Sequence, residues 1–354
     1  MGVLLRRVWE HVAGRPAIWL SLVICIEAVL AGIGIAVGKG TNLTGLLSAG
    51  PLLACARCNG RVTALVSIYA ITLCVIVAEI TGAIDTTIQR DRFGMIAMSG
   101  VLAVFIAIIR ARRENRLITI ADQVQRAILR PLPAELGGVA FASRYQSATP
   151  GTLVGGDLYD LTMTQFGPRF IIGDVKGKGL DAVGRCAAVI ATFRELAFSE
   201  QDLTKLAEQM DAKLSQDMGI EDFVTVILAE FGVGEVRLAN CGHHPPVKVG
   251  PSTGARRLEL VSPERPAPPL GLHPRPARQD VVLKQGDRLL FYTDGLVDAR
   301  DRAGRFLDLD GRVASALAAP GLDGCVRQVA GLLLEHAGDA LGDDVLLVVA
   351  EPLN

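Results

Sequence analysis

The sequence predicts an α/β chain in two parts: an all-helical membrane region of about four spans, then a β-sandwich flanked by helices. Three observations carry this. Apolar runs long enough to cross a bilayer crowd the first 110 residues. Beyond Pro133 the pattern changes to short β-like runs separated by glycine-rich turns. Helical stretches fall among those runs without strict alternation, which argues for an α+β sandwich rather than a doubly wound parallel sheet.

The spans come first. Half of the 354 residues are hydrophobic and 21% are charged, and the apolar excess is uneven. Ala17 to Val37 is uncharged apart from Glu27, Val62 to Ile80 apart from Glu79, and Phe93 to Ile109 carries no charge. Each is close to the ~20 residues a spanning helix needs. A shorter run, Leu43 to Ala56, would reach only ~21 Å at ~1.5 Å per residue against a hydrocarbon core of ~30 Å. Pro51 interrupts it, which leaves a thin kinked span or a re-entrant hairpin open.

Basic residues favour four crossings. Arg6, Arg7 and Arg15 precede the first span, Arg57 and Arg61 follow the short run, and Arg110, Arg112 and Arg113 follow the last. An even count puts all three clusters, and both termini, on the cytoplasmic side of the cell membrane, whereas three crossings divide them. The first apolar segment is too long for a cleavable signal and no small-residue cleavage pattern follows it. The seven cysteines are scattered and fit a reducing compartment. Cys55 and Cys58 form one C-x-x-C, but with no second pair or nearby histidine it reads as structural. Glu79 falls at the interface. Glu27 lies deeper and is a candidate for sensing or helix packing.

Residues 1–109 thus form the membrane region and 110–130 a connecting signalling helix. In "RARRENRLITIADQVQRAILR" the apolar residues Leu117, Ile120, Val124 and Ile128 recur at helical spacing. The stripe covers barely two heptads, so pairing between two chains and packing on the downstream domain are both open. Pro131 and Pro133 end the helix.

Residues 131–354 form the soluble domain. Its strand-like runs are "FASRY", "RFIIGD", "FVTVILAEF", "RLLFYTDG" and "DVLLVVAE", with helices over Ala182–Phe198, Leu203–Met218 and Leu322–Ala337. "GDVKGKGLDA" looks suited to phosphate, yet it is no P-loop: the glycine required five residues before Gly177 is replaced by Ile172, and Gly179 follows Lys178 where a hydroxyl is needed. A dinucleotide fingerprint fails as well, because its acid belongs some twenty residues downstream.

Acids recur in one context instead. Asp157 and Asp160 follow two glycines, and Asp174, Asp294 and the pair Asp343 and Asp344 each stand at the edge of an apolar run beside a glycine. Carboxylates converging from strand ends repel one another unless cations neutralise them, and an all-oxygen donor set selects Mg²⁺ or Mn²⁺ over Zn²⁺. The bland alternative is four unrelated turn caps.

In order, "VGGDLYD", "GDVKGKGLDA", "NCGHHPP", "YTDGLVDARD" and "GDDVLLVV" resemble the motifs of the metal-dependent protein serine/threonine phosphatases of the 2C type. The bacterial subfamily of sporulation stage II protein E and the upstream phosphatases of stress sigma-factor control is the nearest match, over about Val124 to Ala350. The resemblance implies a two-metal centre holding Mn²⁺ or Mg²⁺ at one end of the sandwich. Asp174 matches the bridging ligand, with the Val175 carbonyl beside it, and Asp157, Asp294 and Asp343 match the other ligands; Asp344 ranks below Asp343. It also implies hydrolysis of phosphoserine or phosphothreonine on a regulatory protein such as an anti-anti-sigma factor. Two positions depart from the commonest pattern: Lys178 stands where many members have His, which suits stabilising phosphate charge rather than transferring a proton, and Leu346 where a Thr is frequent. His243 and His244 read as supports of a rigid turn.

Other classes fit less well. A catalytically silent membrane receptor with the same fold has no need to keep repelling carboxylates together. A cyclic-dinucleotide synthase needs Glu-Phe after "GGD", where Leu158 and Tyr159 stand. Nucleic acid is excluded as a partner by a net charge of −1 and the lack of a basic, aromatic-laced stripe. The partners expected are the phosphorylated regulatory protein, membrane lipid and a second copy of the chain through the 110–130 helix.

Overall fold

The computed structural model describes residues 16–38, 43–84, 87–146, 155–219, 221–250, 258–338 and 341–353. The chain divides into two compact units, Met1–Arg116 and Leu117–Asn354. The basic cluster Arg6, Arg7 and Arg15 lies outside the described residues.

The first unit is helical: α1 (Pro16–Val37), a 3₁₀ turn (Leu43–Ser48) leading into α2 (Ala49–Cys55), α3 (Gly60–Thr81) and α4 (Thr87–Ile128). Asn59 caps α3 by accepting from the Val62 amide, and Gly82, at φ 62°, ends it in the left-handed conformation. Among the described residues three helices are long and apolar enough to cross a membrane: Ala17–Val37, Gly60–Thr81 and Thr87–Leu117. The fourth expected crossing is the short helical segment, Thr44–Cys55. Large apolar side chains such as Leu65, Ile68, Met98, Val101 and Phe105 point outward, the reverse of a unit designed for water. Arg110 donates to the carbonyls of Ala56 and Cys58, which ties the 110 cluster to the turn between α2 and α3. Glu27 is fully buried and its carboxylate has no partner among the described residues. It lies against Gly50 so closely that a Cβ there would fall 1.7 Å from Oε1, so Glu27 belongs to the packing between α1 and α2.

No break separates the last apolar run from the connecting helix, since α4 is continuous over 42 residues. The arginines after Ile109 mark a change of polarity, not of backbone. Along the stripe, Leu117, Ile120 and Val124 are exposed, whereas Ile128 packs on Val183 of the second unit's core.

Among its described residues the second unit has, besides the end of α4, eleven strands and four α-helices. One sheet has the order β1 (Glu135–Leu136), β2 (Val139–Gln146), β11 (Val345–Pro352), β10 (Arg288–Tyr292), β7 (Val247–Val249) and β8 (Leu258–Leu260). The other runs β3 (Asp157–Thr164), β4 (Gly167–Val175), β5 (Val224–Gly232), β6 (Glu235–Cys241) and β9 (Arg278–Val282). The strands' alternation assigns the layers. Phe170 and Ile172 of β4 meet Phe141, Phe291, Leu346 and Val348 between the sheets. Ile171 and Val175 face the other way, onto α5 (Leu180–Leu196) and α6 (Leu203–Leu214). On the far side, Val345, Leu347 and Val349 pack on α7 (Gly311–Leu317) and α8 (Leu322–Ala337). Both faces of both sheets are therefore covered, which explains why strands such as "VLLVV" read as unbroken apolar runs. This is the expected sandwich flanked by helices.

Arg169 is a charged group buried completely in this frame. Arg169 donates to Glu230 (Nε to Oε2, 2.7 Å) and to the carbonyls of Ala197, Glu200 and Gln201, closing the C-terminal end of α5. Truncating it leaves the buried Glu230 charge to Arg237 alone and strands three carbonyls. Arg169→Ala is therefore expected to cost about 3–5 kcal/mol of stability, read from chemical denaturation of the chain in detergent.

Candidate active site at the strand ends

The site acids come together because of antiparallel register. Asp157 opens β3 and Asp174 nearly closes β4, and the two are direct cross-strand partners. In the other sheet Asp294 follows the end of β10 and Asp343 and Asp344 precede β11, again an antiparallel pair. Starts and ends of four strands thus deliver carboxylates to one end of the sandwich.

Three glycines let these ends close up. A Cβ at Gly156 would lie 2.1 Å from the Val175 carbonyl and 2.6 Å from Asp174 Oδ1; at Gly155, 2.1 Å from Asp344 Oδ2; at Gly295, 2.0 Å from the Asp344 carbonyl. Gly177 and Gly179, at φ 107° and 88°, then bend "KGKG" from β4 into α5.

Each acid has a distinct setting. Asp157 is buried, and its Oδ2 accepts from the Thr293 hydroxyl at 3.0 Å; the same oxygen of Thr293 accepts from the Leu346 amide at 2.9 Å. Asp344 is buried and accepts from Tyr145 at 2.7 Å. Asp343 is more exposed and accepts from Lys178 Nζ at 2.7 Å. Burial, then the charge of Asp174, pushes the Asp157 carboxyl well above the usual carboxylate range. Burial, followed by Asp294 and Asp343, lifts Asp174 to about 7. Asp294 is raised by burial and by Asp343, and Lys178 is held up by its hydrogen bond to Asp343. Asp160 stands apart: it turns away to Arg194, at 2.7 and 3.0 Å, as a structural ion pair.

The acids converge without closing on one point. Among the described residues no group of three or more His, Cys, Asp or Glu side chains is close enough to hold an ion. Mutual repulsion keeps the carboxylates apart, and Lys178 supplies the only cation hydrogen-bonded to one of them among the described residues.

His243 is buried with both nitrogens engaged: Nε2 at 3.1 Å from the Tyr292 carbonyl and Nδ1 at 2.9 Å from Thr225 Oγ1. A carbonyl only accepts, so Nε2 carries the proton and Thr225 donates to Nδ1. The ring joins Thr225, the cross-strand partner of Asp174, to the residue before Thr293. Its role is support, and His244 stacks on Tyr292 beside it with ring centroids 6.0 Å apart. Burial pushes His243 down to about 3. An unfolded histidine, near 6.5, binds its proton first, so the stability conferred by the neutral ring is lost as pH falls from 6.5 toward 3. At pH 5 the loss is expected to be ~2 kcal/mol. Denaturant midpoints across this range should fall more steeply for the native protein than for His243→Gln.

Sequence reasoning missed Tyr145, Thr225, Thr293 and Cys186. Thr293 alone carried a signal, since it directly precedes Asp294. The Cys186 thiol, raised by burial, donates to the Gly156 carbonyl at 3.1 Å from within α5.

The family model for "Stage II sporulation protein E (SpoIIE)" matches residues 166–352, more than half of the chain. The chain belongs to this family. Among solved structures it is similar to the RsbU and RsbW domains of a Mycobacterium tuberculosis protein, at 28% identity and a TM-score of 0.51 over 61% of this chain. It spans 60% of the length of that solved chain. The SiaA-PP2C domain of Pseudomonas aeruginosa shares the fold at 18% identity and a TM-score of 0.56, over 70% of this chain and 98% of that one. Family membership supports hydrolase activity of the 2C-phosphatase kind, here with long apolar helices N-terminal to the domain. The match begins after Asp157, so that residue enters the site on register and burial.

Proposed function

We propose that the protein is a membrane-anchored phosphoprotein phosphatase that hydrolyses phosphoserine and phosphothreonine on a regulatory protein such as an anti-anti-sigma factor. The observation that carries this is the delivery of buried Asp157 and half-buried Asp174 to the end of the sandwich where Asp294 and Asp343 also emerge. Three glycines keep the space between them clear of side chains.

The donor set fits hard divalent cations. Asp157, Asp174, the Val175 carbonyl, Asp294 and Asp343 are all oxygen donors, and the missing Cβ of Gly156 leaves the Val175 carbonyl and Asp174 Oδ1 reachable. In this reading these residues, Asp174 foremost, would hold two Mn²⁺ or Mg²⁺ ions. Such ions supply an acidified water and neutralise phosphoryl oxygens for in-line attack.

The chain's own groups position the rest. Lys178 is held protonated by Asp343, so it suits contact with a phosphoryl oxygen and is poorly suited to give up its proton. Thr293 fixes Asp157 by donating to it, and Tyr145 fixes Asp344. The water oxygen bonds to phosphorus as the P–O bond to the serine or threonine oxygen breaks, and that oxygen leaves as the alcohol with a proton.

The domain limits 1–109, 110–130 and 131–354 belong to this proposal, as do four crossings and a cytoplasmic phosphatase. Arg110 lies at the turn carrying Arg57 and Arg61, which supports one basic, inward side. Exposed Leu117, Ile120 and Val124 support pairing of two chains along α4. A silent binding module is favoured by one observation, the Lys178–Asp343 pair in place of a closed acid cluster. Phosphate release from a phosphoserine peptide by the full-length chain in detergent with Mn²⁺ decides between them: release is expected, and none would leave the silent module.

A further inference from the structure

Beside the acids lies a pocket of about 370 Å³ lined by Gly295, Asp298, Arg300, Phe306, Gly342 and Asp343. Its outer wall is a prebuilt hairpin. Arg300 and Phe306 form an antiparallel bridge, and the Asp301 amide donates to the Arg305 carbonyl at 2.9 Å. The Asp301 carboxylate accepts from the amides of Ala303 and Arg305 and pairs with the Arg305 guanidinium. His336 Nε2 of α8 lies 3.0 Å from the Arg305 carbonyl, and buried Leu307 anchors the returning strand in the core. On this rigid base the Arg300 guanidinium stands 4.4 Å over the exposed Phe306 ring. Arg300 makes no ion pair among the described residues, unlike Arg305 beside it.

We infer that this pocket receives the segment of the phosphoprotein flanking the phosphorylated residue, and that Arg300 selects an acidic side chain there. The inference rests on the phosphatase reading. The pocket opens on Asp343, so whatever fills it adjoins the phosphoryl group, and its size admits a short stretch of chain, not a folded surface. Stacking on Phe306 holds the guanidinium flat and leaves its edge for a carboxylate. Asp298, which also lines the pocket, works against an anion. It therefore limits the selectivity, and removing it should sharpen the preference.

Two phosphoserine peptides, identical except for Glu or Gln on both sides of the phosphoserine, test this with the full-length chain in detergent. Binding is read by fluorescence anisotropy in chelator, where no turnover occurs, and phosphate release is read separately with Mn²⁺. The Glu peptide is expected to bind about fivefold more tightly, the range for an exposed ion pair. Arg300→Gln should erase that preference, Arg300→Lys should keep part of it, and Asp298→Asn should increase it. Equal binding of the two peptides by the native protein, or a preference that survives Arg300→Gln, overturns the assignment. A preference without phosphate release would keep the pocket and overturn the phosphatase; release without preference would do the opposite.

Discussion

Asp174→Asn is expected to abolish turnover, by about a thousandfold or more, while making the cation-free protein more stable. The first effect follows from the proposed role of Asp174, whose carboxylate would help to hold two cations; loss of such stabilisation is worth several kcal/mol in the barrier. The second follows from linkage. The Asp174 carboxyl, ordinarily near 3.8, is raised to about 7, so its contribution is fully present below 3.8 and is lost as pH rises through 7. Above neutrality the ionised group therefore burdens the fold by ~2–4 kcal/mol, which the neutral amide avoids. Denaturation in chelator at pH 8 should show the variant above the native protein. Lys178→Ala should cost far less activity, about tenfold, because it removes a phosphate contact and frees Asp343. Equal losses in the two variants would mean that Lys178 and not the carboxylate set is central.

Chelation should remove activity entirely, and Mn²⁺ or Mg²⁺ should restore it. The same ions should raise the melting temperature more at pH 7.5 than at pH 5.5. At the lower pH, a proton already occupies the raised carboxyl of Asp174 and competes with the cation; at the higher pH the cation replaces only repulsion. A thermal shift that is the same at both values would indicate that added ions bind elsewhere on the surface.

The sandwich was legible because its strands carry apolar residues on both faces and its turns carry glycine, and both patterns survive in the one-dimensional sequence. The acids were legible for a related reason: each stands where an apolar run meets a glycine, which is where a strand end meets the site. What the sequence could not reveal depends on pairing. Nothing local distinguishes Asp160, which turns to Arg194, from Asp157 three residues earlier. Tyr145 and Thr225 reach the site from strands whose neighbours are set only by the sheet order. Lys178 was read as a phosphate contact, and its hold on Asp343 became visible only once residues 165 apart in sequence were neighbours. Leu346, expected as a departure at the site, places its side chain between the sheets and lends the site its backbone, whose amide and carbonyl both engage Thr293. In the membrane unit, the short Leu43–Ser48 turn and α2 were foreseen as a broken segment, but the seating of Glu27 against Gly50 required the fold.

The Thr293 hydroxyl touches both sheets at once, giving its proton to Asp157 of one and receiving the Leu346 amide of the other. It is a rivet at the open edge of two plates whose facing interior is apolar. Ions gripped by Asp157 and Asp174 from one plate and by Asp294 and Asp343 from the other would be further rivets along that edge. The catalytic end is then also the clasp of the sandwich. Amide hydrogen exchange at Leu346 should be slow in the loaded protein and should quicken first when cations are withdrawn, before the opposite end of either sheet loosens.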